Sequence, residues 1–257
     1  LGTKGFTSHV ESLQVMQHAL NGIAQRASHP ELVNVPYVTM GFSAGGGYAS
    51  RLLVEAPERV VACVPCCSRL NFTGVTPSIA SLHTPACIIS GELEPNGPRF
   101  VEPVLEAYRP EGATFGWMTV QGVGHARVGQ EVLAMPLLDA AVGLRYPPDA
   151  DVRKGPVALK PVDPASGWVA DNTTWKTGLT STAPARQFKG SAEKSSWLLN
   201  EDIAFIYRAY STYDRPLVIT SPPASESQQR VWDPGSNITV VVDDSKFPQW
   251  MKLEFYD

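Results

Sequence analysis

Along the first half of the chain, hydrophobic positions alternate between steps of three or four and short unbroken runs. Val10, Leu13, Met16, Leu20, Ile23 and Ala27 recur at the helical step, behind the capping box Ser8-His9-Val10-Glu11. Pro36-Tyr37-Val38-Thr39-Met40 then reads as a short buried strand, and Ala44 to Ala56 as a helix packed through small residues. Val60 to Val64, Ala86 to Ser90 and Phe115 to Val120 are further strands, and Val128 to Leu144 is a closing helix. Strands separated by helices predict βαβ crossovers and a mainly parallel sheet with helices on both faces. The fold class expected is α/β.

The pattern changes near residue 146. Tyr146-Pro147-Pro148, Pro156, Pro161 and Pro164 favour extended chain over helix. The next stretch is irregular except for one helix over Asn200–Tyr210. From Pro216 short strands take over, at Leu217 to Ile219, Ile238 to Val242 and Trp250 to Tyr256. Three segments are therefore expected: a core over 1–146, an irregular extension with one helix packing on it over 147–215, and a β segment over 216–257.

Composition narrows the function classes. Of 257 residues only 18% are charged and the formal net charge is −4, so the electrostatic footprint of a nucleic-acid binder is missing. No apolar run reaches the ~18–20 residues of a membrane span. All four Cys and all five His lie in the first 146 residues. Cys63-Val64-Pro65-Cys66 has C-x-x-C spacing, but no second ligand pair accompanies it, so no metal and no cofactor are expected. Cys63 and Cys87 fall on successive strands and read as buried thiols, with pairing among the cysteines left open. The tryptophans after residue 146 suit either stacking on sugar rings or aromatic esters, or cover for a loop-rich core.

The candidate chemistry sits at Gly41-Phe42-Ser43-Ala44-Gly45, between the strand ending at Met40 and the next helix. This is G-x-S-x-G in its strand–turn–helix context. Glycines flank the serine because the turn is tight, with Gly46 and Gly47 extending the close packing. The turn holds Ser43 in a strained conformation with its Oγ exposed, which makes it the candidate nucleophile. The backbone N–H of Ala44, the next residue, is the candidate oxyanion donor.

On these residues, the stretch 5–145 resembles the C-terminal half of an α/β-hydrolase. Gly-x-Ser-Ala-Gly-Gly is similar to the form found in feruloyl and acetyl esterases, polyhydroxyalkanoate depolymerases and prolyl-oligopeptidase-type peptidases. The resemblance implies an acid after the next-but-one strand and a histidine after the last. Gly91-Glu92-Leu93-Glu94 fills the first slot, with Glu94 at the matching position and Glu92 as competitor, and Gly122-Val123-Gly124-His125 fills the second. It implies a Ser43–His125–Glu94 triad, with Phe42 and Gly124 beside the substrate. The family's first strands and second oxyanion donor would precede residue 1, which leaves one edge of strand 36–40 open to a missing half supplied by another chain, to a fold-back of the later residues or to a homodimer, the last two being favoured. The short 67–85 span implies an open cleft, suited to a bulky, aromatic or polymer-attached ester.

Residues 216–257 resemble the opening strands of a bacterial immunoglobulin-like module, through Ile219-Thr220-Ser221-Pro222-Pro223, Asn237 to Asp243 and Lys252 to Asp257. That resemblance implies an extracytoplasmic parent, of which this chain is expected to be a segment. Three functions stay open at this stage: a serine carboxylic-ester hydrolase, a prolyl-oligopeptidase-like serine peptidase, and a weakly active or inactive binding fragment.

Overall fold

The computed structural model describes residues 10–95, 97–127, 130–174, 180–211, 218–219 and 230–231. The chain divides into two compact units, Leu1–Tyr213 and Asp214–Asp257.

Within the first unit the order is α1 (Val10–Ala27), β1 (Tyr37–Phe42), α2 (Ala44–Glu55), β2 (Val60–Cys66), α3 (Ile79–Leu82), β3 (Ala86–Gly91), α4 (Gly97–Tyr108), β4 (Phe115–Val120) and α5 (Gln130–Arg145). The four strands form one sheet in the order β1-β2-β3-β4, every pair parallel. The fold is α/β, a parallel sheet flanked by helices. β2, β3 and β4 are buried along their whole length, as expected of unbroken apolar runs in a parallel sheet. The capping box proposed at Ser8 falls outside the described residues.

Strand order dictates where the helices go. When parallel strands are added in one direction with right-handed crossovers, every crossover helix lands on the same face. Accordingly Leu52 and Leu53 of α2, Leu82 of α3 and Val101 and Leu105 of α4 pack with Val60, Cys63, Ile88 and Phe115 on one face, where α1 adds Leu13, Met16 and Leu20. The other face is covered by α5, through Ala134, Leu137, Leu138 and Ala141. A bulge at Val61, between the pairs Tyr37–Val60 and Val38–Ala62, disturbs the ladder. Arg145 at the end of α5 donates to both carbonyls there, Val60 at 2.6 Å and Val61 at 2.9 Å.

The segment expected to be irregular holds more structure than the pattern foretells. Besides α6 (Glu201–Ser211), it forms a three-stranded antiparallel sheet of β5 (Trp168–Asp171), β6 (Thr182–Pro184) and β7 (Ser195–Leu198), in the order β6-β5-β7. Val169, Trp197, Leu198, Ile203 and Tyr207 join the core of the α5 face. Trp197 is buried and donates from Nε1 to the Pro164 carbonyl at 2.8 Å, a core role, while Trp175, Trp232 and Trp250 lie outside the described residues.

This extension leaves the two sheet edges unequal. The outer edge of β4 is covered: Trp117 donates its N–H to Ser196 Oγ at 2.8 Å, and Thr119 donates to Ser211 Oγ at 3.2 Å. Along β1, Val38 is 45% exposed, and no strand pairs with its outer edge among the described residues. All four cysteines are free and buried.

In the second unit, β8 (Val218–Ile219) pairs antiparallel with β9 (Arg230–Val231). The strands expected at 238–242 and 250–256 lie outside the described residues. No helix among the described residues is long and apolar enough to cross a membrane.

Candidate active site

Loops at the C-terminal ends of β1, β2, β3 and β4 bring the candidate residues together, where a parallel sheet ordinarily presents its chemistry. Ser43 follows β1 with φ 53° and ψ −119°, a strained conformation for a side-chain-bearing residue. Its N–H donates to the Cys66 carbonyl at 2.8 Å, which fixes the bend against β2. The steric demand for glycine falls on two positions. A Cβ at Gly41 would collide with the Gly45 carbonyl, and one at Gly46 would meet Ser68 Cβ at 2.6 Å. Gly45 itself has nothing within 4 Å, and Gly47 only Ser68 Oγ at 3.9 Å. This corrects the expectation that Gly45 and Gly47 answer to close packing; Gly45 faces open space.

The next two loops are tied to each other. Glu92 N–H donates to the Val120 carbonyl and Leu93 N–H to the Val123 carbonyl, both at 2.8 Å. A side chain at Gly91 would run into the Val123 carbonyl, so glycine permits the crossing. That crossing delivers Glu94 to His125. Glu94 Oε2 lies 2.5 Å from His125 Nδ1, and His125 Nε2 lies 3.1 Å from Ser43 Oγ. The network is satisfied when Ser43 donates to Nε2 and Nδ1–H donates to the carboxylate. Glu94 is 9% exposed and the His125 side chain 45%, so the carboxylate is shielded while the imidazole opens to solvent. The competitor Glu92 does not join this chain; its Oε2 accepts the Gly122 N–H at 3.0 Å.

The remaining named residues fall into place around it. Ala44 is the first residue of α2, where N–H groups have no intrahelical acceptor, and both it and Gly45 are exposed. Phe42 packs its ring against the imidazole of His125, with centroids 5.1 Å apart and tilted by 53°. Gly124 forms the turn before His125, its carbonyl accepting the Ala126 N–H at 2.9 Å.

One neighbour was not foreseen. Cys67, just past β2, adopts φ 45° with its N–H bound to the Ile89 carbonyl at 2.7 Å. Ligand atoms of Cys67, Glu94 and His125 all lie within 4.8 Å of one another. Burial and the charge of Glu94 hold the Cys67 thiol above its ordinary range. Its adjacency to Cys66 was visible in the sequence; the turn that swings it toward the third and fourth loops was not.

Comparison with known proteins adds little. No family model matches the chain, and no curated protein matches it. Among solved structures, a crystal structure of a point variant of SOBER1 from Arabidopsis thaliana aligns over 54% of this chain and 67% of its own, at 17% identity and a TM-score of 0.39.

Proposed function

We propose that this chain is a serine hydrolase that cleaves carboxylic esters through an acyl-enzyme. The observation that carries the proposal is the hydrogen-bonded line Glu94–His125–Ser43, with separations of 2.5 Å and 3.1 Å. A serine hydroxyl is a weak nucleophile until a base takes its proton. Nε2 of His125 is placed to accept it during attack and to return it to the leaving alcohol. Glu94 holds the ring by Nδ1–H, which fixes the tautomer and stabilises the imidazolium. The Ala44 N–H at the start of α2 donates to the developing oxyanion, an interaction worth about 3–4 kcal/mol.

Exposure around the nucleophile supports a substrate whose bulk stays outside. Ala44, Gly45 and His125 are all exposed, so the site opens outward. Aromatic or polymer-attached esters fit that opening better than a long free acyl chain.

The test is turnover of a short p-nitrophenyl ester together with labelling by a fluorophosphonate. The unaltered chain is expected to hydrolyse the ester and to carry the phosphonyl adduct on Ser43. Ser43→Ala is expected to lose the adduct and to lower kcat by roughly 10⁴-fold or more. Unchanged turnover in that variant would overturn the proposal.

A further inference from the structure

We propose that Cys67, Glu94 and His125 form a binding site for a thiophilic divalent cation, with zinc the best match, and that filling it switches the triad off. The trio offers one sulfur, one imidazole nitrogen and one carboxylate oxygen, all within 4.8 Å of one another. Around a tetrahedral zinc such atoms sit roughly 3.3–3.6 Å apart, given bonds of about 2.3 Å to sulfur and 2.0–2.2 Å to nitrogen and oxygen. Closing the sulfur and opening the 2.5 Å Glu94–His125 contact are side-chain adjustments of about 1 Å. The donors match the metal: a soft thiolate with a borderline imidazole favours zinc over calcium or magnesium, which demand oxygen. Three protein ligands leave a fourth position for water, and the exposed imidazole gives the ion a way in.

The sulfur is buried beside a loop that is held in place. Cys67 is 6% exposed and its Sγ lies 3.8 Å from the Ala126 carbonyl. The same carbonyl is held by Gln130 Nε2 from the first turn of α5. The thiol gives up that contact when it deprotonates onto the metal, and the Gln130 amide keeps the carbonyl bonded. The other three cysteines do not share this setting: Cys63, Cys66 and Cys87 are carried by the sheet strands and are no more than 1% exposed.

The step balances without an oxidant. The Cys67 thiol releases its proton to solvent and its sulfur binds the metal. Nδ1 of His125 gives its lone pair to the metal, and the proton it carried moves through water to Nε2. Glu94 exchanges that hydrogen bond for the metal. One proton leaves per zinc bound. Nε2 is then a donor with no lone pair, so it cannot take the proton of Ser43. This consequence rests on the serine hydrolase reading; the binding itself does not.

Cobalt(II), which reports thiolate ligation by colour, is the probe. Titrating the full chain is expected to give one equivalent bound, with a thiolate-to-cobalt charge-transfer band that zinc bleaches. Cys67→Ala is expected to abolish the band and Glu94→Gln to weaken binding at least tenfold. No band in the unaltered chain, or the same band in Cys67→Ala, overturns the site. Should Cys67→Ala fail to fold, zinc protection of Cys67 from alkylation in the unaltered chain, mapped by mass spectrometry, decides instead: protection supports the site and full alkylation refutes it. Zinc is also expected to block fluorophosphonate labelling of Ser43 until a chelator is added, and labelling that persists with the metal bound overturns the switch. If Ser43 takes no probe even without metal, the hydrolase reading fails while the cobalt titration still decides the site.

Discussion

Glu92 accepts the backbone N–H of Gly122 at 3.0 Å and so braces the loop that carries His125 without touching its imidazole. Two residues further on, Glu94 reaches the ring itself. Two carboxylates on one short loop thus have different partners, one a backbone amide and the other a side chain in line with Ser43.

Substitution should separate them. Glu94→Gln keeps the shape but cannot hold Nδ1–H as a carboxylate does, and it permits the wrong tautomer. Its kcat on a short ester is expected to fall on the order of 10⁴-fold, the loss typical of an amide in the triad's acid position. Glu92→Gln keeps an amide oxygen for Gly122 and is expected to lose less than about tenfold. Steady-state kinetics of both variants check this, and the opposite ranking would move the acid to Glu92.

The glycines of the elbow make a second contrast. Gly45 faces open space, whereas a Cβ at Gly41 would strike the backbone of the first turn of α2. Gly45→Ala is expected to fold normally and to take the fluorophosphonate at Ser43 within about tenfold of the original rate; a methyl at a helix position with room is favoured by backbone entropy. Gly41→Ala is expected to yield little folded protein, because the collision is with main chain that cannot rotate away. Soluble yield and thermal melting of the pair read this out.

Much of this architecture was legible beforehand, and the exceptions have physical causes. β1 to β4 announced themselves because each is a short apolar run between turn residues, and Ser43 because strand, glycine and helix follow in order. α4 has no counterpart among the expected elements: Pro98 and Pro103 are unfavourable in a helix interior, although the first occupies an early helical position, where a missing N–H costs little. β7 was missed because Ser195 and Ser196 look like surface residues, yet both are fully buried and hydrogen-bonded. The choice between Glu94 and Glu92 depends on how two loops cross at Gly91, and the approach of Cys67 depends on a single positive φ; a linear pattern encodes neither.

The burial of Ser196 carries a prediction of its own. Its Oγ accepts the Trp117 N–H, while its one proton faces Asn172 Oδ1 at 2.8 Å and the Trp117 carbonyl at 3.1 Å. Ser196→Ala removes the acceptor from a buried amide that has no water to turn to. The expected loss is about 1–3 kcal/mol, the usual penalty for a buried donor left unsatisfied. Urea unfolding monitored by tryptophan fluorescence measures it. A shift below ~0.5 kcal/mol would mean that the Ser196 hydrogen bonds contribute little to holding the edge of β4.

Alkaline stability follows from the buried thiols. Burial pushes Cys63 up to about 12 and raises Cys87 as well, because neither thiolate is solvated inside the sheet. In the unfolded chain both titrate near 8.5. The folded form therefore holds protons that the unfolded form has lost, and unfolding becomes easier as pH rises. The contribution is complete below about pH 8.5 and disappears as pH climbs toward the folded values. Tyr207, raised by its own burial, adds to the same trend at higher pH. Arg109 and Arg145, lowered to about 10 by burial, oppose it, but only once pH passes that value. Between pH 8.5 and 10 the thiols act alone among these groups, each lowering stability by up to about 1.4 kcal/mol per pH unit. Urea midpoints are expected to fall steadily over that interval, and less steeply in Cys63→Ala than in the unaltered chain. Equal slopes for the two proteins would show that Cys63 ionises as readily folded as unfolded.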